Sequence, residues 1–153
     1  MSDPILFTDA TPRFGLPFLY SGQTQKEAFV NEAIARLDCL LHRNVSGVAD
    51  SPPTVANDGS CWIVGEGASG DWAGLAGQLA CRSSGRWLLL APVEGMLVYD
   101  VSGGQLMVRA GEQWKKTSAL PEPTGGMVVD TEVRAVVNTM IAALRTLGIF
   151  PTA

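Results

Sequence analysis

Two stretches of this chain are near copies of one another. "GQLACRSSGRW", from Gly77 to Trp87, aligns without gaps on "GQLMVRAGEQW", from Gly104 to Trp114, and each follows an apolar run, "CWIV" or "MLVY". A repeat constrains the fold more than any local propensity, because both copies must find the same kind of strand partner. The β-rich runs are Cys61 to Val64, Gln78 to Arg82, Arg86 to Leu90, Met96 to Val101, Gln105 to Arg109 and Gln113 to Thr117, separated by Gly and Ser. Connections this short favour antiparallel neighbours. The pattern predicts an antiparallel β-meander of two repeated three-strand units over residues 60–118, packed as a sandwich or curled into a small barrel that buries Trp87 and Trp114.

The flanks read differently. Residues 1–20 hold Pro4, Pro12 and Pro17 among Ile5, Leu6, Phe7, Phe14, Leu16, Phe18, Leu19 and Tyr20, which predicts an extended, apolar arm that must lie on its own domain or on a neighbouring subunit. From Thr24 to about Arg43, Ala28, Phe29, Ala33, Ile34, Leu37, Leu40 and Leu41 recur at helical spacing, with Ser21 or Thr24 as cap and Glu27 completing a capping box. The opposite face carries Gln25, Asn31, Glu32, Arg36 and Asp38. "PEPTGG" breaks the sheet and marks a linker over residues 119–128. A second helix over 131–147, capped by Asp130 or Thr131 and stopped by Gly148, carries an apolar stripe of Val133, Val136, Val137, Met140, Ile141, Leu144 and Leu147. The expected architecture is an α+β protein with an arm, 1–20, and a single domain, 21–153.

At 153 residues one such domain buries enough surface to need no metal or disulfide. A net charge of -4 offers no basic field to a phosphate backbone, which argues against a nucleic-acid partner. The hydrophobic share of 46% and mean hydropathy of +0.17 are high for a lone globule and point to surface covered by a second copy or another protein. Cys39, Cys61 and Cys81 are odd in number with no CxxC pair, so they read as reduced, buried thiols. The acidic, Pro-containing start resembles neither a signal peptide nor a membrane span, which places synthesis and folding in the cytoplasm without membrane insertion.

No catalytic signature emerges. "GEGASG" (Gly65 to Gly70) spells the dinucleotide fingerprint, but "DWAGLAG" follows where a phosphate-binding helix is required, so the segment reads as a long, mobile hairpin loop. Glu66 and Asp71 on that loop could pair as acids for glycoside hydrolysis only if something fixed their spacing. His42 stands alone, with no second ligand at metal spacing, and sits where it would meet the last carbonyls of the first helix. Trp72 could stack on a sugar face beside Glu66 and Asp71, although a Trp flanked by glycines also serves to plug a core. No enzyme, cofactor or metal is expected.

Three segments taken together carry a resemblance: "RFGLPFLYSGQTQKEAFVNEAIARLD", "GSCWIVGEGASGDWAGLAGQLACRSSGRWLLLAPVEGMLVYD" and "VDTEVRAVVNTMIAALRTLGI". They resemble a family of unknown function encoded by bacteriophages, prophages and gene transfer agents of alphaproteobacteria, whose members occur in head spikes, tail fibres and their attachment modules. The resemblance implies a non-enzymatic structural component of a phage or phage-like particle, located in the virion and bound to itself and to other virion proteins. A homo-oligomer is expected, with a trimer by analogy to fibres and spikes. It also matches Gln23, Gln25, Lys26, Glu27, Asn31, Glu32 and Asp38 to positions recurring in the family's first helix. A subunit seam would then involve Phe14, Leu16, Phe18, Tyr20, Gln23, Gln25, Asn31 and Glu32. The alternative is a module that binds host surface polysaccharide through Glu66, Asp71 and Trp72.

Overall fold

The computed structural model describes residues 9–19, 27–126 and 130–151. Its elements are α1 (Glu27–Leu41), β1 (Asn44–Val45), β2 (Val48–Ala49), β3 (Cys61–Val64), β4 (Leu79–Ser83), β5 (Arg86–Leu90), β6 (Leu97–Asp100), β7 (Gln105–Ala110), β8 (Gln113–Lys116) and α2 (Thr131–Thr146), with a 3-10 turn at Gly70–Trp72. The class is α+β. Residues 117–126 have no regular structure, and residues 24–26, where the first helix was expected to begin, lie outside the described segments.

The strands form two four-stranded sheets, ordered β2-β3-β4-β5 and β1-β6-β7-β8. Neither closes into a barrel, and both are mixed. β3-β4-β5 and β6-β7-β8 run antiparallel, whereas β2 joins β3 and β1 joins β6 in parallel. The expectation of purely antiparallel pairing fails at these two edges because β1 and β2 have two residues each, too few for any periodicity. The chain divides into two compact units, residues 1–43 with 48–92 and residues 44–47 with 93–153.

In the first unit, β4 and β5 are joined through Ser84 and Gly85, whose φ angles of 50° and 71° give the two-residue turn that matches strand twist. Asp58 steadies this turn by accepting from the Gly85 N–H at 3.0 Å. Val64, Trp72 and Ala80 form the core, with Trp62, Ala68, Leu75, Trp87 and Leu89 packed on them. Trp87 meets Trp72 and Trp62 edge to face, at centroid distances of 5.1 and 5.7 Å.

In the second unit, β7 and β8 turn through Gly111 and Glu112, with φ of 58° and 63°, and the Glu94 carboxylate accepts from the Gly111 N–H. The Asp130 side chain caps α2 by accepting from the Val133 N–H at 2.9 Å, as expected for this residue. Gly148 ends the helix with φ of 69°, where a Cβ would stand 2.8 Å from the Tyr99 ring, so both backbone and space demand glycine. Trp87 and Trp114 are half-buried rather than enclosed. Arg82 and Arg109 lie over their rings, 5.1 and 5.9 Å from the centroids, and cover the outer faces.

Candidate functional site

The polar residues of α1 find their partners in the segment before it. Residues 9–19 are not extended. Pro12, Arg13 and Phe14 form a turn closed by Gly15 at φ of 62°, Ala10 bridges Pro17, and the Thr11 N–H donates to the Leu16 carbonyl at 2.9 Å. This folded arm is clasped by Asp38, which is 2% exposed. Its Oδ1 accepts from the Thr11 hydroxyl at 2.6 Å and the Phe14 N–H at 2.8 Å, and its Oδ2 accepts from the Arg13 N–H at 3.1 Å. Asn31 grips the other end, accepting from the Leu19 N–H at 2.8 Å and donating to the Leu19 carbonyl at 3.1 Å. Arg13 then reaches past the helix, donating from Nε to Gly59 O at 2.6 Å and from Nη1 to His42 O at 2.8 Å. The arm, the end of α1 and the approach to β3 are thereby tied together.

This clasp turns the helix the opposite way from the one its pattern suggests. Ala35, Asp38 and Cys39 are its buried residues, while Phe29, at 81% exposure, Val30, Leu37 and Leu41 face outward. A carboxylate that meets three donors can be buried. An apolar stripe left outside is then open to a partner.

Of the residues expected at a subunit seam, Phe18, Asn31 and Glu32 come together, lining a groove of about 450 Å³ with Ala35, Arg86 and Leu88. Phe14 is exposed and Leu16 half-buried, and Glu32 pairs with Arg36 at 2.7 Å one helical turn on. Tyr20, Gln23 and Gln25 lie outside the described residues.

The loop between β3 and β4 is packed rather than free. Ser69 N–H donates to Asp50 O at 2.7 Å, Gly67 N–H to Asp50 Oδ1 at 3.2 Å, and Gly77 N–H to Val64 O at 2.8 Å. Trp72, 0% exposed, anchors it from within and offers no face to a sugar. Glu66 and Asp71 remain at the surface without it. A single 3-10 turn follows "GEGASG", not the helix a pyrophosphate would need. His42 is exposed and contributes its backbone carbonyl to the clasp.

The cysteines depart from expectation. Cys61 and Cys81 stand opposite each other on β3 and β4, with Cα atoms 4.2 Å apart, and form a disulfide, while Cys39 on α1 is a free, buried thiol. Register decides this pairing, and a separation of 20 residues in sequence carries no such information. Burial pushes the Cys39 thiol up from 9.0 to about 11. Arg13 and Arg36 oppose that rise, and Asp38 adds to it.

Because this pKa is higher in the fold than in the open chain, the thiol's contribution to stability is complete below pH 9 and lost as pH rises to about 11. Across that interval the wild type should lose about 1–2 kcal/mol relative to Cys39→Ala, after allowance for solvent screening. Denaturant midpoints of the two proteins at pH 7, 9 and 10.5 check this; parallel loss in both would refute it.

In the second unit, Val133, Val136 and Met140 of α2 and Leu147 at its C-cap are between 56% and 66% exposed, and Ile141 alone is buried among the helix's described residues. Their three-, four- and seven-residue steps follow a heptad seam. Beside the end of this helix, Leu97, Leu106, Val108, Lys115, Thr117 and Ile149 line an apolar hollow of about 320 Å³. Among the described residues, no helix is long and apolar enough to cross a membrane.

No curated protein matches the chain. Residues 30–115 match a family model described as a protein of unknown function, DUF2793, a span running from within α1 into β8. With more than half of its length inside that match, the chain belongs to the DUF2793 family.

Proposed function

We propose that this protein is a non-enzymatic structural component of a phage or phage-like particle and that it assembles with copies of itself through its helices. One observation carries the assembly reading: both helices leave their apolar stripes outside, Phe29, Leu37 and Leu41 on α1 and Val133, Val136 and Met140 on α2, continued by Leu147 at its C-cap. In water such stripes gain roughly 25 cal/mol for each Å² of apolar surface that a partner covers. The heptad spacing on α2 fits a short helical bundle, and a trimer accords with the usual symmetry of fibres and spikes. The particle reading rests on the resemblance of the arm, loop and final helix to virion appendage proteins.

Light scattering should find one discrete oligomer for the wild type and a smaller species for Val136→Glu with Met140→Glu, since two carboxylates in a closed seam lack partners. A wild-type monomer, or an oligomer unaffected by these changes, would dismiss the α2 seam. The location is tested separately by density-gradient sedimentation of particles from producing cells. The protein should band with the particles; recovery only from the unsedimented fraction would refute a virion role.

A further inference from the structure

Helix α1 brings Cys39 to the strand pair that Cys61 and Cys81 join. The three sulfur atoms lie within 4.8 Å of one another, and all three residues are buried. With two sulfurs already bonded, the cluster offers a cation a single thiol, which argues for sulfur chemistry over metal binding. Three sulfurs and one bond allow three pairings. We propose that the disulfide is exchangeable, moving from the strand pair to Cys39 and so tying α1 covalently to β3 or β4.

In that step the Cys39 thiolate attacks Sγ of Cys61 or Cys81. A new S–S bond forms as the old one breaks, and the displaced sulfur leaves as a thiolate that takes up the proton Cys39 gave. One disulfide and one thiol exist before and after, so no oxidant or reductant is consumed. Because the thiolate is the nucleophile, a thiol held protonated in the resting fold keeps the exchange slow. The charged groups acting on Cys39 are Arg13 from the arm and Asp38 and Arg36 from its own helix, while β3 and β4 present the disulfide itself. Arg13 and Asp38 are also the residues that clasp the arm. Release of the arm would therefore hydrate Cys39 and free the end of the helix together, coupling the exchange to whatever displaces residues 9–19.

The test uses the full chain and does not depend on the assembly reading. Cys61→Ser and Cys81→Ser are equilibrated in a glutathione redox buffer that fully forms the wild-type bond, and free thiols are alkylated under acid quench before non-reducing peptide mapping. The expected products are intramolecular Cys39–Cys81 and Cys39–Cys61 disulfides in most molecules. Two free thiols in both variants, or bonds only between chains, would overturn the proposal. Should a serine variant fail to fold by circular dichroism, the wild type held at pH 9.5 decides. Cys39-containing disulfides should accumulate there, about tenfold faster per pH unit up to that pH, and persistence of Cys61–Cys81 alone would overturn the proposal.

Discussion

Replacing Asp38 by alanine should destabilise the first unit by about 3–5 kcal/mol, the range for removing one member of a buried charged network. The carboxylate is 2% exposed and accepts from the Thr11 hydroxyl and from the Arg13 and Phe14 N–H groups. Alanine strands all three donors, of which the Thr11 hydroxyl is buried and the Arg13 and Phe14 N–H groups are partly so. Asp38→Asn separates charge from shape. Its oxygen can keep the Thr11 and Phe14 bonds, while its NH₂ would meet the Arg13 N–H donor to donor, so about half of the full loss is expected. Chemical denaturation measures both, and proteolysis between residues 9 and 19 should rise in step with the loss. An Asp38→Ala protein within 1 kcal/mol of wild type would mean that the clasp is incidental.

The second large effect is expected at Trp72. The ring is 0% exposed, packs on Val64 and Ala80, and meets the Trp87 ring edge to face at 5.1 Å. Trp72→Ala should cost about 3–5 kcal/mol through lost burial and the cavity left behind. The indole N–H has no hydrogen-bond partner, so Trp72→Phe gives up volume but no polar contact and should cost about 1–2 kcal/mol. Thermal denaturation followed by near-ultraviolet circular dichroism reports both, because the coupled tryptophan rings dominate that signal. Equal losses for Ala and Phe would show that the polar edge of the ring matters after all. A sugar-binding assay on Trp72→Ala would report unfolding rather than lost recognition.

How legible this protein is in its sequence depends on the range of the forces involved. Local rules placed six strands within one residue of their observed ends, as with Arg86–Leu90 and Cys61–Val64, because short apolar runs bounded by turn residues leave little freedom. They also narrowed the cap to Asp130 or Thr131, of which Asp130 serves, and located the Gly148 stop, since both are matters of one residue's own geometry. Long-range partners were not legible. A carboxylate on the polar face of a helix reads as solvated until the chain before it folds back to present Thr11, Arg13 and Phe14, and that reversal exposes Phe29 and Leu37 in its place. The disulfide was not legible either: Cys61 and Cys81 lie on consecutive strands, but the Ser84-Gly85 turn sets Cys81 against Leu88 of β5, and the β3–β4 register is fixed across residues 65–78, where no two-residue turn counts it.

The sequence by itself therefore determined the α+β class, six of the strands and the two helices, because periodicity, turn chemistry and capping act within a few residues. Only the tertiary structure decided which helix face is buried, that Trp72 fills a core instead of meeting a ligand, that β1 and β2 pair in parallel, and that three cysteines become one disulfide beside one thiol. These outcomes depend on contacts between separate elements, 27 positions apart for Thr11 and Asp38 and 20 for Cys61 and Cys81, and no local pattern encodes those distances.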